Sequence, residues 1–173
     1  MLAVATSSDV SHSLFIAVYA ILWSCMEIEM EGADGGWAAN MPTVPSGIGR
    51  FTVYHVIMNA VVVLTVAYAL RDSGICSVVF YVAAWFLIED FCWFVLNPAY
   101  TLSRYTRESV WWHAHQPWPL GIPAHNWVGI VVMFVAGMMG GASVGGASVL
   151  AVAVAGVVLL APCYHAWYKK KRR

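Results

Sequence analysis

The sequence predicts an all-α fold, a bundle of helices that crosses a membrane several times. Hydrophobic residues make up 61% of the 173 residues, and the mean hydropathy is +0.70. Charged residues make up only 10%, against about 25% in soluble domains. Several apolar stretches approach the roughly 20 residues that a helix needs to cross a membrane, and they lack the alternation of β-barrel strands. The composition therefore predicts an integral, multi-pass membrane protein and excludes an ordinary soluble domain.

The first three predicted spans follow from apolar runs and from the residues that interrupt them. Span one is predicted over residues 11–28, span two over 51–70 and span three over 75–96. A loop dense in glycine and proline separates the first two spans, because these residues break regular structure. Span three is predicted to end before Asn97-Pro98, because proline pushes the residue before it out of the helical region.

The last apolar region, residues 127–161, is too long for a single span. Its 35 residues would form a helix of about 52 Å, whereas the hydrocarbon core of a bilayer is about 30 Å thick. We favour a break in the glycine-rich segment 140–146. The break gives spans over 126–141 and 147–167, and therefore five spans in total.

One continuous helix is the alternative, and it would give four spans. Gly137, Gly141 and Gly145 would then lie four residues apart on one face, a small-residue pattern that packs helices closely in membranes. Such a face would bind a second copy of the chain or another subunit of a membrane complex.

Positive charge predicts the orientation of the chain. Residues 1–168 are predicted to form one transmembrane domain, and the basic tail 169–173 holds five of the nine basic residues. With five spans, eight basic residues share the side of the tail and only Arg71 lies opposite; four spans give six against three. The basic side is cytoplasmic in membrane proteins, so the C-terminus is predicted to be cytoplasmic. In a eukaryote, the tail also resembles an endoplasmic-reticulum retrieval signal, and topology explains its charge without a nucleic-acid partner.

Polar residues of the apolar spans are predicted to lie in one layer near the cytoplasmic surface. Span one ends there, span two begins there, span three returns there, and the next loop adds histidines on the same side. The residues of this polar layer are Glu27, Glu31, His55, Asn59, Glu89, Asp90, His113 and His115. Insertion scales give about 2.5–3.5 kcal/mol for a charged residue at the centre of a membrane helix, and such residues usually have a function. The polar layer therefore predicts a functional site.

We interpret the polar layer as the site of a metal-dependent enzyme that acts on a lipid or another hydrophobic substrate. Carboxylates and histidines from several helices are typical ligands of iron and zinc, although the sequence lacks the Glu-x-x-His signature of di-iron proteins. The predicted metal ligands are Glu27, His55, Glu89, His113 and His115. The predicted catalytic residues are Glu31, Asp90 and Asn59, and the predicted substrate pocket consists of Trp37, Trp85, Trp93 and Asn97.

Other interpretations of the polar layer stay open. A protonated glutamate between tryptophan walls is also typical of a metal-free lipid isomerase or cyclase. The small size equally fits a non-enzymatic accessory subunit, in which the polar residues only join helices or face solvent. A proton or ion path is disfavoured, because the polar residues lie at one depth. His12, His125 and His165 are predicted to be peripheral, although His125 begins span four beside the layer.

Three motifs lie between about residues 27 and 123: EGADGGWA at 31–38, EDFCWFVLNP at 89–98 and WWH at 111–113. They resemble a group of small polytopic membrane proteins with an E-G-x-x-G-W-A loop, an E-D-x-x-W-F-x-x-N-P helix end and a W-W-H loop. The sequence departs from this pattern by one additional glycine before Trp37. The resemblance implies which residues matter, but it implies no activity.

Overall fold

The computed structural model describes residues 7–31 and 52–171, and these residues form five α-helices. The helices are α1 (Ser7–Glu31), α2 (Val53–Ala69), α3 (Ile75–Leu96), α4 (Ala124–Ala136) and α5 (Val144–Lys171). Three short 3₁₀ turns, at Leu102–Arg104, Trp111–His113 and Pro119–Gly121, lie between α3 and α4. The predicted all-α fold is confirmed, and each predicted span corresponds to one helix.

Three of the helices are long and apolar enough to cross a membrane. These segments are Ser7–Met30, Ile75–Leu96 and Val144–Lys171, whereas α2 and Ala124–Gly140 are apolar but shorter. Large apolar side chains cover the outer surface of the bundle, and those of Leu64 and Leu159 are 69% and 77% exposed. Extensive apolar surface of this kind is typical of contact with a membrane. The helices are therefore consistent with an integral membrane protein.

The chain leaves helical geometry between α4 and α5. Residues Gly137–Gly141 form a π turn, in which Gly140 has φ 86°, a left-handed conformation that favours glycine. Ala142 then has an extended backbone, with φ −156° and ψ 154°. The predicted break is confirmed, and the alternative of one continuous helix is wrong. The glycines of that alternative do not share a helix, and Gly137 packs against the Phe80 ring within the chain, so binding of another subunit through them stays a prediction.

Helix α3 is the centre of the bundle and packs against each of the other four helices. Towards α3, α1 presents the small residues Ser13, Ala17, Ala20 and Ser24, which are at most 1% exposed. Small side chains let helix backbones approach closely in membranes. The Ser24 hydroxyl also donates to the Glu89 carbonyl oxygen at 2.9 Å, which joins α1 to α3 at the depth of the polar layer.

A glycine allows a second close contact, where α1, α3 and α5 meet. A Cβ atom on Gly146 of α5 would lie 2.9 Å from the Ser13 hydroxyl oxygen and 3.1 Å from that of Tyr81. These two hydroxyl groups hydrogen-bond each other at 2.8 Å. The packing of the three helices therefore requires a residue without a side chain at position 146.

The segment between α3 and α4 folds back onto the C-terminal end of α3. Asn97 ends the helix, as predicted, and its side-chain oxygen accepts the Ala99 N–H at 3.0 Å. Aromatic rings then pack the segment against α3, with neighbouring ring centroids 4.6–6.2 Å apart: Trp93, Phe94, Tyr100, Tyr105, Trp112 and Trp118. This packing places the histidines of the segment over the end of α3.

Candidate metal site

Three side chains of the kind that bind metals meet at the end of α3. Asp90 lies in the last turns of α3, His113 ends a 3₁₀ turn, and His125 lies in the first turn of α4. One ligand atom of each residue lies within 4.8 Å of the other two. Ligand atoms of a tetrahedral zinc ion lie roughly 3.5 Å apart. This His/Asp cluster therefore has to contract by on the order of 1 Å to hold one ion.

Asn126 holds the carboxylate of the His/Asp cluster in place. Its side-chain amide donates to Asp90 Oδ2 at 2.7 Å and to the Tyr105 hydroxyl at 2.9 Å. Burial, together with the charge of Asp90, raises the pKa of Tyr105, so this phenol stays protonated. Because Asn126 follows His125 in the chain, the first turn of α4 supplies both a ligand-type residue and the donor that orients the carboxylate.

The hydrogen bonds of His125 determine which ring nitrogen carries a lone pair. Gln116 Oε1 lies 3.1 Å from the His125 backbone nitrogen and 3.0 Å from Nδ1 of its ring. A backbone N–H only donates, so the Gln116 atom is the oxygen and Nδ1 also donates to it. Nε2 of the neutral ring then has the lone pair, and it lies 3.9 Å from Asp90 Oδ2. His125 Nε2 and Asp90 Oδ2 are then both acceptors. They attract each other only when both bind the same cation, a proton or a metal ion.

Burial keeps the third residue of the cluster, His113, uncharged at neutral pH. Its pKa is lowered to about 4, chiefly by burial; the charge of Asp90 opposes this shift, and neighbouring histidines add to it. The His113 ring lies 4.5 Å from the His125 ring, centroid to centroid, and the Trp118 indole donates to the His113 carbonyl oxygen at 3.1 Å. A neutral imidazole is the form of histidine that binds metals.

A second polar group, the carboxyl pair Glu27 and Glu89, lies among α1, α2 and α3. Both residues are only 8% exposed. Glu27 Oε1 accepts from the Trp23 indole at 3.1 Å and from the Tyr54 hydroxyl at 3.0 Å, and the Glu27 and Glu89 carboxyl groups lie beside each other. Two carboxyl groups that share a buried site repel each other when both are ionised.

The two predicted site residues of α2, His55 and Asn59, lie in its first two turns. His55 forms a capping box with Thr52, in which His55 Nδ1 accepts the Thr52 N–H at 3.3 Å and the Thr52 hydroxyl accepts the His55 N–H. His55 also interacts electrostatically with His113. Asn59, one turn further along α2, is half-buried. The roles of His55 as a ligand and of Asn59 in catalysis stay predictions.

Two of the three tryptophans of the predicted substrate pocket, Trp85 and Trp93, lie in the core of the bundle. Trp85 is fully buried and Trp93 is 5% exposed, and the Trp85 ring packs against that of Trp23 at 5.7 Å. Asn97 is the buried residue that ends α3. The Glu31 side chain and Trp37 lie outside the residues that the structure describes, so their predicted roles are untested.

The loop histidines are arranged differently from the expectation. An extended loop would turn His113 and His115 to the same side, but the chain forms a 3₁₀ turn here, which buries part of His113 and leaves His115 exposed. His125, predicted to be peripheral, lies in the cluster instead. In the sequence, Pro123 indicates this position of His125. Pro123 precedes α4 and therefore places His125 in the first turn of that helix, beside the polar layer.

An apolar groove leads away from the cluster between α2, α3 and α4. It has a volume of about 540 Å³, and eleven of its thirteen lining residues are apolar; the two polar ones are His125 and Asn126. Its wall on α3 runs from Ile75 to Leu87, about 18 Å of helix. Asp90 continues this face, because it lies three residues beyond Leu87. The groove therefore has one polar end, at the His/Asp cluster.

No family model matches this chain, and no curated protein or solved structure matches it either. The class of this protein is therefore described from its fold and its candidate site. Within the residues that the structure describes, it is a helical protein with three helices of membrane-spanning length and a cluster of two histidines and one aspartate at the end of an apolar groove. The resemblance of its motifs to those of small polytopic membrane proteins stays a prediction.

Proposed function

We propose that this protein is a membrane-embedded, metal-dependent enzyme that acts on a lipid or another hydrophobic substrate. One observation carries the proposal: three ligand atoms of Asp90, His113 and His125 lie within 4.8 Å of one another. The bond from His125 to Gln116 turns Nε2 towards Asp90. Histidine ligands of metals usually donate their second ring nitrogen to a carbonyl or carboxylate, which fixes the tautomer. His125 has this arrangement already.

Two histidines and one carboxylate fit iron or zinc. The same residue types, two histidines and one carboxylate, form the facial triad of non-haem iron enzymes, and they differ by one residue type from the His₂Glu set of catalytic zinc sites. A bound metal would polarise a substrate oxygen or activate a water molecule. In this proposal Asp90 is a metal ligand rather than the catalytic residue that its sequence position suggested. Asn126 and Gln116 are the residues that orient the ligands.

The carboxyl pair supports this site from the other side of α3. Glu89 precedes Asp90 in the chain, and Glu27 interacts electrostatically with Asp90. We propose that the pair holds a proton beside the metal ligands instead of binding the metal, because Glu27 already accepts hydrogen bonds from Trp23 and Tyr54. The predicted ligand roles of Glu27 and Glu89 are replaced here by this proton-holding role.

The orientation in the membrane belongs to the same proposal. We propose five spans, in which the 17 residues of α2, about 25 Å of helix, cross a bilayer core of about 27–30 Å, as Ala124–Gly140 does. The His165 ring donates to the Val95 carbonyl oxygen at 3.0 Å, so the basic end of α5 and the metal site lie at one end of the bundle. We propose that this end is cytoplasmic, at the endoplasmic reticulum if the organism is a eukaryote.

Elemental analysis of the purified protein tests the proposal. We expect about one iron or zinc ion per chain, and no metal after His113→Ala or His125→Ala, because either change leaves two ligands. His115→Ala is the matched control: it removes an exposed histidine two residues from His113, and we expect the metal to be retained. Wild-type protein that takes up neither metal, or a control that loses it as the other variants do, would contradict the proposal.

A metal-free acid–base enzyme for lipids is the second candidate, and the carboxyl pair is the observation that favours it. A carboxyl group that keeps its proton in an apolar site can donate that proton to a substrate. If a lipid co-purifies with the protein and is its substrate, this candidate expects the activity on that lipid to survive a chelator and to be lost in Glu27→Gln or Glu89→Gln. The metal-dependent proposal expects the opposite: loss with the chelator and in His113→Ala.

A further inference from the structure

We infer that the apolar groove holds the hydrocarbon chain of a single-chain amphiphile, a long-chain fatty acid or alcohol, whose oxygen-bearing end lies at Asp90, His113 and His125. The inference rests on the proposed function, because it takes the His/Asp cluster as the place that meets the polar group. It adds the class of substrate and the direction in which the substrate lies. The methyl end of the hydrocarbon chain is assigned to Ile75, at the start of α3.

The polarity of the groove determines this direction. His125 and Asn126 lie at one end, and the rest of the lining is apolar. A molecule that fits such a groove is apolar along its length and polar at one end only. Oxygen-bearing groups at that end suit the cluster, because oxygen ligands such as water, hydroxyl and carboxylate complete iron and zinc sites that have three protein ligands.

The dimensions of the groove fit a hydrocarbon chain. Its length is about 18 Å, and its volume of about 540 Å³ is within the range of small-molecule sites, roughly 300–1,000 Å³. Both suit an extended chain that lies along α3.

The walls of the groove allow entry from the bilayer. Val79 and Val128 line it and are 38% and 63% exposed, so the groove opens sideways towards surrounding lipid. Near the polar end, α3 and α4 approach closely, since a Cβ on Gly129 would lie 3.1 Å from the Leu87 side chain. An amphiphile that lies beside the groove thus enters it from the side.

Position-resolved photolabelling tests the inference. Two palmitate analogues, one with a diazirine at the tail end and one with a diazirine next to the carboxyl group, are added to the wild-type protein in phosphatidylcholine nanodiscs. We expect the tail probe to label residues around Ile75 and Val79 and the other probe to label residues around Phe86 and Val128. Labelling of the same outer residues by both probes, for example Leu64 and Leu159, would overturn the inference.

Two neighbouring substitutions provide a matched comparison. Val132 lines the groove and is 39% exposed, whereas Val131 is 57% exposed and is not among the lining residues. Val132→Trp is expected to reduce labelling near Ile75 by roughly tenfold, the effect of excluding about two methylene groups. Val131→Trp adds the same ring outside the groove and is expected to leave labelling unchanged. Equal effects of the two substitutions would overturn the inference.

Metal content measured on the same samples separates this inference from the proposed function. Bound metal together with labelling of the outer surface alone overturns the inference and leaves the metal site intact. Ordered labelling of the groove without any bound metal supports the position of the chain and contradicts the metal-dependent function. Ordered labelling together with a metal that is lost in His125→Ala supports both.

Discussion

Glu89 and Asp90 are adjacent in the sequence, yet they belong to two different environments. Consecutive residues of an α-helix point about 100° apart, so Glu89 meets Glu27 of α1 while Asp90 meets Asn126 of α4. The Glu89 side is closed, because small residues of α1 pack directly on α3. The Asp90 side is open, because the groove ends beside it. One polar layer is thereby divided into a closed site, which contains the carboxyl pair, and an open site beside the groove.

The largest expected effect on stability is on the closed side. Glu27→Ala leaves the partly buried Trp23 and Tyr54 donors without their acceptor, at a cost of about 3 kcal/mol in the free energy of unfolding. Glu27→Gln keeps an acceptor oxygen and is expected to cost about 1 kcal/mol. Asp90→Ala is expected to cost less than Glu27→Ala, because Asp90 is 23% exposed and water can replace it. Unfolding in detergent measures all three, and equal losses for Glu27→Ala and Asp90→Ala would remove the distinction between closed and open sites.

A smaller effect is expected from a residue that touches only the open side. Gln116→Leu removes the acceptor that fixes the His125 tautomer, so it is expected to lower the affinity for zinc or iron by about 10–100-fold. Gln116→Glu keeps an acceptor oxygen and is expected to restore most of that affinity. Competition with a chelator of known affinity provides the measurement. An unchanged affinity in Gln116→Leu would show that the Gln116 bond does not organise a metal site.

The smallest expected effect concerns the packing of the two sides. Gly146→Ala on the closed side brings a Cβ to 2.9 Å from the Ser13 hydroxyl oxygen and is expected to cost about 1–2 kcal/mol of unfolding free energy. Gly129→Ala, beside the groove, meets only the flexible end of Leu87 at 3.1 Å and is expected to cost less. Thermal unfolding of both variants in detergent makes the comparison. A larger loss in Gly129→Ala would mean that the groove side is packed as tightly as the closed side.

Most of the fold could be predicted from the sequence, because its strongest signals are local. Apolar length predicts where a helix crosses a membrane, and Asn97-Pro98 and the glycines around Gly140 mark where helices end. The same signals bring Glu27, Glu89 and Asp90 to one depth, since helix length fixes how far each residue lies from a helix end. The shape of the segment between α3 and α4 depends on aromatic packing between residues that are distant in the sequence. No periodic pattern of the sequence predicts such packing.

The composition of the candidate site was less predictable for the same reason. The i, i+2 spacing of His113 and His115 predicts a shared side only if the chain is extended, and here the chain turns. Trp85 and Trp93 share a helix face with Glu89, as their spacing indicates, but tertiary packing decides that this face is core and that the groove lies elsewhere. His125 lies in the cluster because α4, which begins after Pro123, packs against α3. This packing joins residues that are distant in the sequence.

The order in which partners of the two carboxylates appear along the chain has a consequence for biosynthesis. Glu27 and Ser24, which contact Glu89, and Tyr54, which donates to Glu27, are all translated before α3. Asn126, His113 and His125, which contact Asp90, are all translated after it. When α3 leaves the ribosome, the partners of Glu89 have therefore already been synthesised. The partners of Asp90 are synthesised only after more than twenty further residues. Until α4 emerges, the Asp90 carboxylate lacks the Asn126 donor that orients it in the folded chain.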